Sequence, residues 1–372
     1  MSLSQDEAFA RIRLLRSPNI GPISYRQLIA RFGDAGRALE ALPDLASRKG
    51  GAYKLAPADR VSREIDAVRK LGARYLFIDS PDYPALLAEL ETAPPILTFR
   101  GDPALLALPA IAVVGARNAS AAAVKLARDF SMALAEAGHV VVSGLARGID
   151  GAAHQGALAG EARGGPARTI GVIASGIDIA YPPEHAKLQE RIAEEALLLA
   201  EQPPGVEPLA RHFPSRNRII AGLAAGTLVV EAAPKSGSLI TARLAGEAGR
   251  EVMAVPGSPL DSRSAGCNQL IRDGAVLVQS PDEVLELVTG FAGAPRSRFR
   301  DTTAAAFEPD AELESADESA DLGHMLGIAP IGIDELIRQS GQSAAAVQLA
   351  LLELELAGRL VRHAAGRVSL AG

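Results

Sequence analysis

The middle of the chain alternates short, continuous apolar runs with segments whose apolar residues recur at helical spacing. The runs that we interpret as strands are 111–114, 140–142, 169–173, 228–230, 252–255 and 276–278. Because these runs are apolar throughout, both faces of each strand should be buried. Strands of this kind with helices between them, such as the helix predicted over 120–137, indicate a parallel α/β sheet with right-handed crossovers.

Changes in this pattern divide the 372 residues into four segments. A helical domain, the sheet domain, an acidic linker and a small terminal domain are predicted at residues 1–95, 96–290, 291–321 and 322–372. In the first segment, Gly21-Pro22 separates two stretches of helical periodicity, which resembles a helix-hairpin-helix or SAM-type domain; a helical domain docked on the sheet is the alternative. Seven acidic residues and no basic one lie between Glu308 and Asp321, and such a stretch stays solvated and extended.

The terminal segment has the order of elements of a winged helix. One helix is predicted to begin at Ile333 and a longer one to run from Ser343 to about Ala357, followed by a hairpin over 358–361 and 367–370. The second helix carries two glutamates and no Lys or Arg. Since a helix that reads a DNA groove should be basic, we favour a protein-contact role for this domain over the reading of duplex DNA.

Composition excludes several classes of protein. No apolar run approaches the roughly 20 residues needed to cross a bilayer, and the first residues lack a basic-then-apolar signal pattern, so we expect a cytoplasmic protein without a membrane partner. Cys267 is the only cysteine, and no two of the six histidines stand three or four residues apart, so neither a disulfide nor a metal site is expected. The net charge is −6, so any nucleic-acid binding must depend on a local basic site.

Glycine or serine follows the predicted strands where each one ends. These exits are Gly115-Ala-Arg117, Ser143–Asp150, Ala174-Ser-Gly176, Glu231 with Ser236-Gly-Ser238, and Pro256-Gly257. The carboxyl ends of parallel strands share one edge of the sheet, and small residues there let backbone N–H groups approach an anion. Any single glycine could serve a tight turn alone. Their coincidence at one edge favours a phosphate-binding rim.

The common nucleotide and hydrolase motifs do not accompany this rim. A dinucleotide fold needs Gly-x-Gly-x-x-Gly after its first strand and an acid at the end of the second. Here Gly115 is followed by Ala-Arg-Asn, and the second strand ends at Ser143. The chain also contains neither Gly-Lys-Ser/Thr nor Gly-x-Ser-x-Gly. NAD binding, ATP hydrolysis and a serine triad are therefore poorly supported, and no cofactor is expected.

The segment from Arg211 to Arg218 concentrates three arginines, a histidine and an asparagine around Phe213. Guanidinium groups pair with phosphates, and an aromatic ring offers a stacking face to an unpaired base. For Phe213, a place in the core is an equal alternative to stacking. For the arginines, the alternative is a salt-bridged helix start, but we favour binding of a nucleic-acid strand.

Taken in order along the chain, these motifs resemble the DNA-processing protein A family (DprA, also called Smf). The matching segments are Val113–Arg117, Ser143–Asp150, Ala153-His154, Tyr181-Pro182, Phe213–Leu223, Glu231-Ala232, Ser236–Ala242, Ala254–Gly257 and Gly266–Ile271. The resemblance implies an extended Rossmann-like domain that binds single-stranded DNA without sequence preference. It further implies a homodimer and delivery of incoming DNA to the RecA recombinase during natural transformation.

The resemblance also assigns site residues one by one. Arg117, in the turn that begins at Gly115, matches a phosphate-contacting arginine, and Phe213 matches an aromatic residue near the bound strand. Arg216 and Arg218 match a basic pair with Asn217 between them. Arg211 stands beside Ala210, where some members of the family carry a basic residue. The turns matched to the pocket contribute Ser143, Gly144, Ser175, Ser236, Gly237 and Ser238.

Two other classes of function remain as alternatives. Phosphoribohydrolases of the LOG type share a Rossmann-like fold, but the comparable turn here, Ser236–Thr241, has a hydroxyl where their catalytic glutamate stands. Glycosidic cleavage needs a carboxylate beside the sugar, and only Glu231 and Asp150 remain as candidates. A purely structural, partner-binding protein would leave the arginine cluster unexplained. We therefore predict a binding protein that is not an enzyme.

Overall fold

The structure, a computed structural model, describes residues 3–47, 53–159, 167–289, 322, 325–363 and 366–371. The chain forms two compact units, Met1–Arg63 with Asp301–Gly372, and Glu64–Arg300. The acidic linker predicted over 291–321 lies outside the described residues. The other predicted domain boundaries stay predictions.

The second unit is built on a nine-stranded sheet, in the order β1-β2-β6-β5-β4-β3-β7-β8-β9. Its strands, β1 to β9, are Arg74–Phe77, Ile96–Gly101, Ala110–Val114, Val140–Ser143, Thr169–Gly176, Leu197–Gln202, Gly226–Val229, Glu251–Ala254 and Val276–Leu277. The seven strands from β6 to β9 in this order are parallel, and β1 and β2 add an antiparallel edge. The predicted α/β class is confirmed, although β1, β2 and β6 are absent from the strands that the pattern predicts.

Helices cover both faces of the sheet. The helices α1 to α14 are Gln5–Arg16, Pro22–Phe32, Ala35–Ser47, Ala58–Lys70, Ala85–Ala88, Ala121–Glu136, Ile149–Ala159, Ala186–Glu195, His212–Leu223, Gly237–Glu247, Ala265–Arg272, Pro281–Thr289, Ile333–Ser340 and Ala344–Leu356. Along β3, Ile111 and Val113 pack into the core on one face, whereas Ala112 and Val114 pack into the core on the other. A continuous apolar run is therefore the pattern that this central strand requires.

The order of strands reverses direction at β3. The chain runs from β3 through β4 and β5 to β6 on one side, and then crosses to β7, β8 and β9 on the other side. Connections from β3 and β7 therefore leave in opposite directions, which opens a crevice at the carboxyl ends of these two strands. This is the location in the fold where a ligand site is expected.

The first unit combines the N-terminal helices α1 to α3 with the predicted winged helix, and both domains are confirmed. The winged helix contains α13 and α14 and a three-stranded sheet whose strands β10, β11 and β12 are Ile331–Gly332, Leu360–His363 and Arg367–Leu370. Helix α14 is apolar on two sides: Leu352 and Leu356 pack with the N-terminal helices, whereas Leu351 and Leu354 pack in the core of the winged helix. The Asn19 side-chain amide also donates to the Leu356 carbonyl at 3.1 Å.

Within the described part of the chain, every helix is too short or too polar to pass through a bilayer.

Candidate nucleic-acid interface

A groove of about 700 Å³ lies in the crevice between the ends of β3 and β7. The two strand ends are joined there, because the Ala116 N–H donates to the Glu231 carbonyl at 2.6 Å. Predicted site residues from three separate segments line this groove. They are Gly115, Arg117, Phe213, Arg216, Asn217, Ser236, Gly237 and Ser238.

Five predicted residues do not line the groove. The buried Ser143 hydroxyl donates to the Val113 carbonyl at 2.7 Å, and the Ser175 hydroxyl donates to the Ile179 carbonyl at 2.8 Å. Both hydroxyls therefore tie strand ends to neighbouring backbone. The other three are Gly144, Arg211 and Arg218.

Gly144, Arg211 and Arg218 have different surroundings. Gly144 lies in a smaller recess beside the groove, and Arg211 is exposed just before α9. The Arg218 guanidinium is largely buried and forms an ion pair with Glu201. For Arg218 the structure thus shows the salt-bridged arrangement that was the alternative to binding.

Two positions of the rim require glycine because neighbouring atoms lie too close for a Cβ atom, and not because the backbone has a positive φ there. A Cβ atom on Gly115 would lie 2.6 Å from Ile149 Cγ1 and 2.9 Å from the Glu231 carbonyl oxygen. A Cβ atom on Gly144 would lie 1.7 Å from Arg216 Nη1. Gly144 therefore makes room for the Arg216 guanidinium, so its place in the motif is a packing requirement of that arginine.

Arg216 forms the floor of the groove and is 5% exposed. Its Nη1 donates to the Val172 carbonyl at 2.7 Å. Burial lowers the pKa of Arg216 to about 10, although the nearby charge of Asp150 acts in the opposite direction. Burial raises the pKa of Asp150, and this rise is offset in part by Arg216 and by two backbone N–H groups. Arg216 and Asp150 thus stabilise each other's charge inside the protein.

Phe213 is half-buried and lines the groove instead of joining the core. The guanidinium carbon of Arg117 lies 5.2 Å from the centroid of its ring, within range of a cation–π interaction. On another side, the ring of Tyr181 meets it edge to face at 5.6 Å between centroids. These contacts hold the Phe213 ring at the groove surface, next to an exposed cation.

The amino end of α10 contributes the other wall. Ser236 precedes the helix, and its hydroxyl lies 2.8 Å from that of Ser238. The Asn217 side chain donates to the Gly237 carbonyl at 3.3 Å, which joins α9 to α10. Free N–H groups and the positive end of a helix dipole at this wall favour an anion.

Two cations of the groove were missed by sequence reasoning. Lys235 is exposed beside Ser236, and Arg263 enters from the loop before α11, where it pairs with Asp261 at 2.9 Å. Lys235 could have been found, because it directly precedes a rim turn. In all, four cationic side chains and one carboxylate line the groove. The groove therefore has the local basic character that nucleic-acid binding would require in a chain of net charge −6.

The two carboxylates that could serve an enzyme already accept hydrogen bonds within the protein. Glu231 accepts hydrogen bonds from the Ser120 N–H at 3.0 Å and from the Ser120 hydroxyl at 2.7 Å. Asp150 accepts from the Gly144 and Ala146 N–H groups. No group of three or more His, Cys, Asp or Glu residues suited to a metal ion occurs in the described ranges.

Three family models match the chain. The model of "DNA recombination-mediator protein A" covers residues 74–289, a "DprA-like N-terminal HHH domain" covers 5–67, and a "DprA winged helix domain" covers 306–366. The DNA processing protein DprA of Streptococcus pneumoniae is 48% identical over 203 residues, which are 55% of this chain and 70% of that protein.

Solved structures of the same family are also similar. The crystal structure of DprA from Streptococcus pneumoniae has a TM-score of 0.62 and 37% identity, over 77% of this chain and 98% of that one. DNA processing protein A from Helicobacter pylori, described with a single-stranded DNA binding mode, has a TM-score of 0.52 and 28% identity, over 58% of this chain and 96% of that one.

Proposed function

The chain belongs to the DNA processing protein A (DprA) family, and on that premise we propose that it binds single-stranded DNA without sequence preference and passes it to the RecA recombinase. A DNA-processing role in recombination comes with the family. The proposal further includes a homodimer that acts in the cytoplasm on DNA taken up during transformation. It includes no covalent chemistry, no cofactor and no metal.

The groove between β3 and β7 is the observation that carries the proposal. It combines four cationic side chains, the amino end of α10 and the half-buried ring of Phe213 in one crevice. Cations and helix ends bind phosphates whatever the sequence, and any base can stack on an aromatic ring. This combination favours a flexible strand, because a duplex keeps its bases stacked inside.

The winged helix supports the same preference. The second helix of a helix–turn–helix is the one that enters a DNA major groove, and here that helix is α14. Its Leu352 and Leu356 side chains are buried against the N-terminal helices, and it carries no Lys or Arg. Helix α14 is thus engaged in an intramolecular contact, which counts against its insertion into a major groove; the protein-contact role of the winged helix stays a prediction.

Titration of a labelled oligo-dT at several salt concentrations tests the proposal. We expect tight binding that weakens linearly in a plot of log K against log[salt], with a slope of about −0.7 for each phosphate contact. Replacing the exposed Lys235 by alanine should make the slope shallower by about 0.7, measured by fluorescence anisotropy. Arg69→Ala is the matched control, because Arg69 is 78% exposed on α4 and does not line the groove.

Affinity that does not change with salt, or tighter binding of a duplex than of oligo-dT, would contradict the proposal. An unchanged slope in Lys235→Ala would remove that lysine from the interface.

The absence of catalysis is a second expected result. We expect no free base when the protein is incubated with nucleoside monophosphates, because Glu231 already accepts two hydrogen bonds from Ser120. Chromatography of the reaction mixture checks this. Glu231→Ala should instead lower stability by about 1–3 kcal/mol, since the Ser120 donors lose their partner. Release of base that disappears in Glu231→Ala would favour the phosphoribohydrolase alternative.

A further inference from the structure

A recess of about 250 Å³ opens beside the DNA groove and has no role in the proposal so far. Arg117, Phe213 and Arg216 line both cavities, so the recess is continuous with the groove. Its far wall is Tyr181-Pro182.

Tyr181 has the character of a binding residue. It is 44% exposed and lines the recess, so its ring is accessible to a ligand that enters there. Phe213 meets it at an interplanar angle of 61°, so the two rings are not stacked on each other. An edge-to-face contact fixes the position of a ring while it leaves faces of the rings for other planar groups.

Charge continues across the recess. Arg117 lies between the recess and the groove, within 5.2 Å of the Phe213 ring centroid. Arg147 lines the outer side and is 60% exposed, in an ion pair with Glu184. A polynucleotide that leaves the groove past Phe213 therefore meets a second aromatic ring in a recess that Arg117 and Arg147 also line. Single-strand binding surfaces combine aromatic rings and cations in this way along their length.

We propose that Tyr181 is a second stacking residue and that the recess receives one unstacked base of the bound strand, with Arg117 at the phosphate that joins this base to the one on Phe213. The inference rests on the proposed function and extends it, because it gives the path of the strand beyond the groove. It requires the aromatic ring of Tyr181 and not its hydroxyl. Tyr181→Phe should therefore bind oligo-dT as the wild type does, whereas Tyr181→Ala should bind about tenfold more weakly.

The chain contains no tryptophan, which makes a direct test possible. Tyr181→Trp and Phe213→Trp each introduce a single fluorophore that reports stacking of a base. Leu108→Trp is the matched control. Leu108 is 36% exposed and precedes the amino end of β3, whereas the groove lies at the carboxyl end of this strand. On addition of unlabelled oligo-dT, fluorescence should change in the first two variants and stay constant in the control.

The outcomes separate the inference from the function on which it rests. If Phe213→Trp responds, Tyr181→Trp does not, and Tyr181→Ala binds like the wild type, the inference is wrong and single-strand binding stands. If the wild type itself shows no binding of labelled oligo-dT by anisotropy, the proposed function fails, and the inference fails with it. A response in both tryptophan variants together with weaker binding by Tyr181→Ala supports the second stacking position.

Discussion

Replacing Arg117 and Phe213 together by alanine is expected to weaken the binding of oligo-dT on the order of 100-fold. Loss of a stacking ring costs about 1–3 kcal/mol for each base, and each 1.4 kcal/mol is a factor of ten in the dissociation constant. In the proposed binding mode Arg117 adds a phosphate contact, and its guanidinium carbon lies 5.2 Å from the ring centroid of Phe213. Fluorescence anisotropy at one fixed salt concentration measures the change.

The two single variants sharpen this test. Because the side chains are in contact, their losses should not add: Arg117→Ala alone already frees the ring, so the double variant should lose less than the sum. Arg69→Ala again controls for the loss of a charge. Arg117 is exposed and Phe213 is half-buried, so the free energy of unfolding should change little in these variants. A double variant that binds within twofold of the wild type would remove the groove from the proposed function.

Arg216→Ala is expected to lower the free energy of unfolding by about 3–5 kcal/mol, a large share of the stability of an ordinary domain. The substitution leaves the buried Asp150 carboxylate without Arg216, the stronger of its two cationic neighbours (the other is Arg117), and leaves the Val172 carbonyl without this donor. It also opens a void next to Gly144, where the guanidinium is packed. Urea unfolding followed by circular dichroism measures the loss.

Combining Arg216→Ala with Asp150→Asn tests the physical reason for this loss. If mutual compensation of buried charge is the cause, the double variant should be less destabilised than the two single variants predict by addition. Arg218→Ala is the comparison on the same helix, because Arg218 pairs directly with Glu201 and is less buried than Arg216. Wild-type stability in Arg216→Ala would show that the carboxylate does not depend on this cation. Weak oligo-dT binding by Arg216→Ala is therefore interpretable only beside its unfolding curve.

Strands were predicted where a short, continuous apolar run ends at a turn residue. β3, β4 and β5 lie at the centre of the sheet, and their predicted apolar runs of three to five residues are shorter than an ordinary helix. The apolar run of β6 directly follows the helical segment α8, so periodicity cannot separate the two elements. β1 is an edge strand with a single buried residue, and in β2, whose first four residues are buried, Thr98 and Arg100 interrupt the apolar run.

The arginine motif shows how far the site could be predicted. Residues of α9 at positions 213, 216, 217 and 220 share one helix face, and all four line the groove. Arg218 follows Arg216 by two positions, about 200° around a helix of 3.6 residues per turn, and therefore points away from that face towards Glu201. Helical spacing alone could have separated the two arginines, once the motif was placed inside the helix.

By itself the sequence determined the class of the fold, the carboxyl ends of the strands as the place of the small turns, and the segment in which cations surround Phe213. These features follow from hydrophobic periodicity and residue composition, which are contained in short stretches of the chain. Only the tertiary structure decided which cations meet solvent: Arg117 and Lys235 are exposed, whereas Arg216 is buried with Asp150. The charge that faces a ligand depends on partners brought from distant segments by packing, and local pattern does not contain them.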